Sequence, residues 1–199
     1  MNNTNPFIYS DDNKRYHTLN YYNKSSFNSK VFKAVIDAGF TCPNKDGTKG
    51  TGGCIYCMGG SGYFTEKSDG EIYDSVKRQL AAEKERIYKK HPDSLITAYF
   101  QANTNTYAPV ATLKEAYTAA LDFGVHGISI GTRADCLPDD VIALLCDINS
   151  KTHLTVELGL QTIHDKSAQI INRCYTYDEF LEGYRKLQES GIRLSLIHI

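Results

Sequence analysis

The chain has 199 residues, with 22 basic and 23 acidic side chains and a formal net charge of −1. Hydrophobic residues make up 41% and charged residues 23%, which is enough apolar mass for one sizeable core and excludes intrinsic disorder, collagen-like and coiled-coil architectures. The balanced charge also excludes nucleic-acid binding through overall electrostatics, although a local basic patch stays open.

The N-terminus is polar from Met1 to Asn5 and carries no signal-peptide core, and the apolar runs fall far short of the roughly 18 to 20 residues that span a bilayer. A cytoplasmic chain with no membrane partner is the expectation. Residues 1–30 are rich in polar side chains and tyrosine (Tyr9, Tyr16, Tyr21, Tyr22) and read as an irregular arm lying on a surface, ahead of a core domain over residues 31–199.

Val31 to Ile36 is β-branched enough for a first strand, which delivers the chain into a cysteine-bearing loop. Gly70 to Lys90 has helical spacing and stops near His91-Pro92. Leu95 to Phe100 then reads as a strand, Leu113 to Phe123 as a helix and Gly127 to Ile130 as a strand. Pro138 to Ile148 follows as a helix with Pro138 in its first turn, and Leu154 to Leu160 as a strand. Helical stretches cover Lys166 to Ile171 and Tyr177 to Ser190, and Gly191 precedes a last strand from Ile192 to Ile199. Strands alternating with helices require right-handed parallel crossovers, hence an α/β fold. No Gly-rich dinucleotide turn follows the first strand, so a barrel is preferred to a doubly wound sheet.

Of six cysteines, Cys42, Cys54 and Cys57 crowd into one loop too rich in Gly, Asn, Asp and Thr to be helix or strand interior. Without an export signal a disulfide framework is the weaker reading. A structural zinc site closes with four protein ligands. Only one Cys-x-x-Cys knuckle is present, with no histidine between residues 18 and 90 to complete it. Three thiolates on an iron-sulfur cubane leave one iron open to a non-protein ligand.

Parallel α/β folds bind ligands beyond the carboxyl ends of their strands. The residues there are polar: Gln101, Asn103, Thr104, Asn105 and Thr106 after the second strand, Thr132, Arg133 and Asp135 after the third, and Glu157 and Gln161 within and after the fourth. Glu157, between Val156 and Leu158, is costly to bury without a partner and is expected to face a polar cavity.

Cys54-Ile55-Tyr56-Cys57 resembles the second half of the radical S-adenosylmethionine (radical SAM) motif, with Cys42 as its first cysteine across a longer spacer. The stretches Lys33 to Cys57, Tyr99 to Pro109 and Glu157 to Asp165 resemble the YhcC/YtqA-type radical SAM proteins, relatives of the radical SAM domain in the Elongator catalytic subunit. The resemblance covers about residues 14 to 195. It implies a partial TIM-type (β/α)6 barrel with a 4Fe-4S cluster on Cys42, Cys54 and Cys57. S-adenosylmethionine would bind the open iron and be cleaved, on reduction, to methionine and a deoxyadenosyl radical that takes a hydrogen atom from substrate. By the same resemblance Tyr56 lies near the adenine, and Gln101, Asn103, Arg133, Glu157 and Gln161 are candidates for cofactor contacts and the substrate-facing wall.

Three residues, at two places, depart from the family pattern. Ala134 stands where Pro is common, and Cys174-Tyr175 where Gly-His is common, which puts local loop shape in question. The family also continues past the fifth strand, so the barrel is expected to be incomplete at its C-terminus.

Cys136, Cys146 and Cys174 are isolated, and Cys146, on the apolar side of a helix, reads as a buried structural thiol; His164 reads as a helix cap or a proton carrier, His153 as exposed, and Lys84-Glu85-Arg86 with Lys89 and Lys90 as a solvated helix face. The leading function is a radical SAM enzyme modifying a tRNA base, a wobble uridine, and drawing electrons from a flavodoxin or ferredoxin. The alternatives are a radical SAM oxidase or dehydrogenase of a small metabolite, and a non-catalytic zinc or iron-sulfur module.

Overall fold

Alternation along the strands sets the architecture. In the computed structural model, which describes residues 14–57 and 68–198, β1 (Val31–Ile36), β2 (Leu95–Phe100), β3 (Gly127–Thr132), β4 (His153–Gln161) and β5 (Arg193–His198) form one parallel sheet in the order β1-β2-β3-β4-β5. Met1 to Asn5, Tyr9 and Ile199 lie outside the described residues. Each strand lies beside its predecessor in the chain, whereas a doubly wound sheet reverses its order at a switch point. The fold is therefore an α/β partial barrel of five parallel strands.

On β2, Ile96, Ala98 and Phe100 are buried on the convex face, while Thr97 and Tyr99 point into the lumen; on β4, Leu154, Val156, Leu158 and Leu160 alternate in the same way with Thr155, Glu157 and Gly159. The apolar core thus lies between sheet and helices, and the lumen is left polar. The curl of the sheet is visible in one contact. Lys33 on β1 pairs with Glu157 on β4, although three strand spacings would hold them about 14 Å apart in a flat sheet.

Six helices are found among the described residues: α1 (Leu19–Phe27), α2 (Ile72–Tyr88), α3 (Val110–Phe123), α4 (Asp139–Asn149), α5 (Asp165–Ile170) and α6 (Tyr177–Glu189). Helix α1 corrects the expectation of an irregular arm. Its N-terminus is capped by the Thr18 hydroxyl, which accepts from the Tyr21 N–H at 3.0 Å, and it ends at Asn28 with φ 51°. Only Asn23 of this helix is buried, so no apolar stripe announced it. Helix α3 begins at Val110, ahead of the expected Leu113, because Pro109 occupies its N-cap. In α4 Pro138 likewise stands at the N-cap, one residue before the first turn. Helix α6 starts where expected, held by a capping box between Thr176 and Glu179.

His164 stands at the N-cap of α5 but its side chain makes no capping bond; its N–H donates to Thr162 Oγ1 at 3.1 Å. His153 is half-buried, with the Phe27 ring edge-on at 5.1 Å, and is not the exposed residue expected. Cys136 is buried, while Cys146 and Cys174 are half-buried, so Cys146 is not the fully buried thiol expected. The charged run on α2 is exposed, with Arg86 paired to Glu83 at 2.8 Å and Lys89 to Glu85 at 3.0 Å. No helix among the described residues is long and apolar enough to cross a membrane.

Candidate functional site

The loop after β1 is folded on its own backbone. The Cys42 carbonyl accepts from the N–H groups of Lys45 and Asp46 at 2.8 and 3.1 Å, Pro43 O accepts from Lys49 at 2.7 Å, and Asn44 O accepts from Gly53 at 2.8 Å. Gly52 and Gly53 both lie at positive φ, 77° and 76°, a pair of consecutive left-handed residues that side chains would strain. They turn the chain back so that Cys54 rejoins the vicinity of Cys42. The loop is also tied to the segment after α5: Ile55 N–H donates to Ile171 O at 3.1 Å, and Asn172 Nδ2 to Gly53 O at 2.8 Å.

Cys42 is buried, Cys54 half-buried and Cys57 exposed, and none is in a disulfide. All three border one cavity of about 230 Å³ at the carboxyl ends of the strands. Tyr56, Gln101, Asn103, Arg133, Glu157 and Gln161 border the same cavity, as does Thr132, whereas the other polar strand-end residues, Thr104, Asn105, Thr106 and Asp135, do not line it. Asn44 Nδ2 lies 3.5 Å from Cys54 Sγ. Partial burial and the neighbouring Cys54 sulfur push the Tyr56 phenol well above the ordinary tyrosine range.

Each strand end contributes differently. Asn103, at φ 64°, donates to Phe40 O at 2.9 Å and accepts from Lys45 Nζ at 2.6 Å, binding the strand end to the cysteine loop. Arg133 grips Asp135 in a fork, Nε to Oδ1 at 2.9 Å and Nη2 to Oδ2 at 2.8 Å, and donates from Nη1 to Arg173 O at 2.9 Å. Burial opposes both charges of that pair. The Arg133 fork, helped by Lys49, nevertheless holds Asp135 below the usual carboxylate range. Glu157, 7% exposed, accepts from Lys33 and from Ser129 Oγ at 3.1 Å. This pairing offsets the burial that made Glu157 anomalous in an apolar strand. Gln161, at φ 55°, folds over Gly159, and its Oε1 is buried without a hydrogen-bond partner.

Sequence reasoning passed over Lys45, Tyr99, Arg173 and Tyr175, which also line the cavity, and over Lys33, the partner of Glu157. Lys33 and Tyr99 carried a usable signal, since both fall on the same alternating strand face as the residues sought. The Lys33 ammonium sits 4.0 Å from the centre of the Tyr99 ring. The Tyr99 phenol is raised by burial and then by the Glu157 carboxylate.

A partial parallel barrel thus gathers three free thiols and a ring of polar strand-end residues around one cavity at the strand C-termini. The chain matches the profile of the Radical SAM superfamily over residues 46–199 and belongs to that superfamily. It is 48% identical over 196 residues to YtqA of Bacillus subtilis (strain 168), covering 98% of this chain and 60% of that protein. It is 35% identical over 170 residues to YhcC of Escherichia coli (strain K12), covering 84% and 53%. The chain thus spans little more than half the length of these relatives. Its fold is similar to that of the archaeal Methanocaldococcus infernus Elp3 with an N-terminal deletion, with TM-score 0.54 and 15% identity over 86% of this chain and 38% of that one.

Proposed function

We propose that Cys42, Cys54 and Cys57 hold a 4Fe-4S cluster and that S-adenosylmethionine binds in the cavity beside it, making the chain the core of a radical SAM enzyme. The observation that carries this reading is the meeting of three free thiols with polar groups from three strand ends around one cavity. The donor set fits the group. Thiolates are the usual ligands of iron-sulfur clusters, and the Asn44 amide near Cys54 Sγ is placed to tune a ligated sulfur. Among the described residues no three His, Cys, Asp or Glu side chains converge on a point where a single ion would sit.

When bound and reduced by one electron, the cluster and S-adenosylmethionine supply a deoxyadenosyl radical that takes a hydrogen atom from substrate. The chain's own groups orient and enclose. Gln161 Oε1 offers an unmet acceptor to a ligand N–H or O–H, Tyr56 flanks the cysteine loop, and Gln101 and Asn103 line the second strand end. Arg133, committed to Asp135 and Arg173 O, shapes the wall and holds positive charge there. The Lys33–Glu157 pair forms the floor.

For the whole protein we propose modification of a tRNA base, a wobble uridine, with a flavodoxin or ferredoxin as reductant, by analogy, since Lys33 to Cys57, Tyr99 to Pro109 and Glu157 to Asp165 resemble YhcC/YtqA-type proteins, relatives of the Elongator radical SAM domain. Anaerobic reconstitution with iron and sulfide, followed by a dithionite-driven assay, should yield deoxyadenosine, and Ala at Cys42, Cys54 or Cys57 should abolish it while Cys146→Ala does not. One tightly held zinc and no cleavage would leave a binding module instead. Nucleoside profiles of tRNA from cells with and without the gene test the substrate, and unchanged profiles would favour a small metabolite.

A further inference from the structure

The lumen contains a second chamber that the cysteine site does not use. It lies at the amino ends of the strands, measures about 430 Å³ and is covered by α1. Glu157 borders both chambers, so the Lys33–Glu157 pair is the partition between them. We propose that this lower chamber binds a compact divalent oxyanion, inorganic phosphate or the phosphate of a monoester.

The reason is an imbalance of charge. The carboxylate that borders the chamber, Glu157, is already paired with Lys33. Arg193, at the start of β5, rests on the Tyr22 ring at 5.0 Å, and no carboxylate lies within ion-pair distance of it among the described residues. His153, at the start of β4, lies close enough to Arg193 for the two to repel when both are charged, and His126 stacks at 6.3 Å from His153. A guanidinium and two imidazoles therefore share one end of a cavity, and among the described residues no carboxylate but the paired Glu157 borders it. Hydroxyls of Thr97, Thr155 and Ser195 complete a wall of groups able to donate hydrogen bonds. An oxyanion neutralises Arg193, accepts from the imidazole N–H groups, and removes the repulsion between them. A cation meets the opposite conditions, and an apolar ligand leaves these donors unpaired.

The site is independent of the cluster, so the test uses the chain as purified, without iron. Calorimetric titration with inorganic phosphate, against sodium chloride of equal ionic strength, should show saturable binding. Arg193→Gln should weaken it at least ~10-fold, the loss of one charge-assisted contact, while Arg185→Gln on the exposed face of α6 should leave it unchanged. In the unmutated chain, NMR of imidazole-labelled histidine should show the His126 and His153 resonances moving with phosphate and not with chloride, which keeps the test decisive if Arg193→Gln fails to fold. Absence of saturable phosphate binding, equal loss with Arg185→Gln, or histidine resonances that ignore phosphate would overturn the proposal. Ribose 5-phosphate binding more tightly than inorganic phosphate would identify the monoester as the ligand.

Discussion

Arg173 is fully buried and wraps the residue two places ahead of it: Nε and Nη2 donate to Tyr175 O at 3.0 and 2.9 Å, and the guanidinium lies 4.3 Å from the centre of the Tyr175 ring. Its Nη1 donates to Leu160 O and Thr162 O, both at 2.7 Å. One side chain thereby joins the end of β4 to the segment that braces the cysteine loop, at the place where Cys174-Tyr175 departs from the family pattern. Cys174 there adopts φ 60°, a left-handed conformation that glycine takes without strain, and the Tyr175 carbonyl anchors the loop to Arg173.

Arg173→Met removes several charge-assisted bonds and leaves buried carbonyls unpaired, so a loss of about 2–4 kcal/mol is expected. Urea denaturation measures it. A loss below about 1 kcal/mol would show that the loop is held by other contacts.

The partition pair should respond asymmetrically. Lys33 has a side chain 38% exposed and Glu157 one 9% exposed. Lys33→Met strands a buried carboxylate and should cost about 2–3 kcal/mol, whereas Glu157→Gln lets the lysine turn to water and should cost about 1 kcal/mol. The double variant should lie near Glu157→Gln in chemical denaturation. Equal single effects would mean that the pair is not buried as described.

Gly183 packs α6 onto the backbone of the loop after β3, and a Cβ there would run into the Ala134 carbonyl oxygen. Gly183→Ala gains helix propensity but forces α6 away from the Arg133–Asp135 fork, for a net loss of about 1–3 kcal/mol. Thermal unfolding should fall accordingly; a rise in the midpoint would refute the close approach.

Burial holds His126 and His153 below the ordinary histidine range, with Arg193 adding to the effect at His153. Because the folded state disfavours their protonation, their contribution is fully present above about pH 6.5 and is lost as pH falls through the lowered folded values. Urea midpoints should decline from pH 7 toward pH 5, and more steeply than in a His126→Asn/His153→Asn double variant. Parallel slopes would assign the decline to other groups.

The strand-helix alternation and the polar strand ends were legible because period-two burial and helical spacing leave marks in any sequence. Glu157 stood out for the same reason, as a charge in an apolar strand. Helix α1 was not legible, since it buries only Asn23 and owes its start to one Thr18 cap. Arg133 read as a ligand contact, and its engagement with Asp135 two residues on was hidden because a loop arginine gives no sign of where its fork closes. Arg173 and Lys45 were missed because their roles depend on loops meeting in space.

Electron paramagnetic resonance of the anaerobically reconstituted and reduced chain, recorded before and after adding S-adenosylmethionine, reads out directly whether three thiolates hold a cluster with an open iron. A reduced-cluster signal whose shape changes on addition, and which disappears when Cys42, Cys54 or Cys57 is replaced by Ala, is the predicted result. A signal indifferent to S-adenosylmethionine, or one that survives loss of these thiols, would contradict a three-thiolate cluster with an open iron.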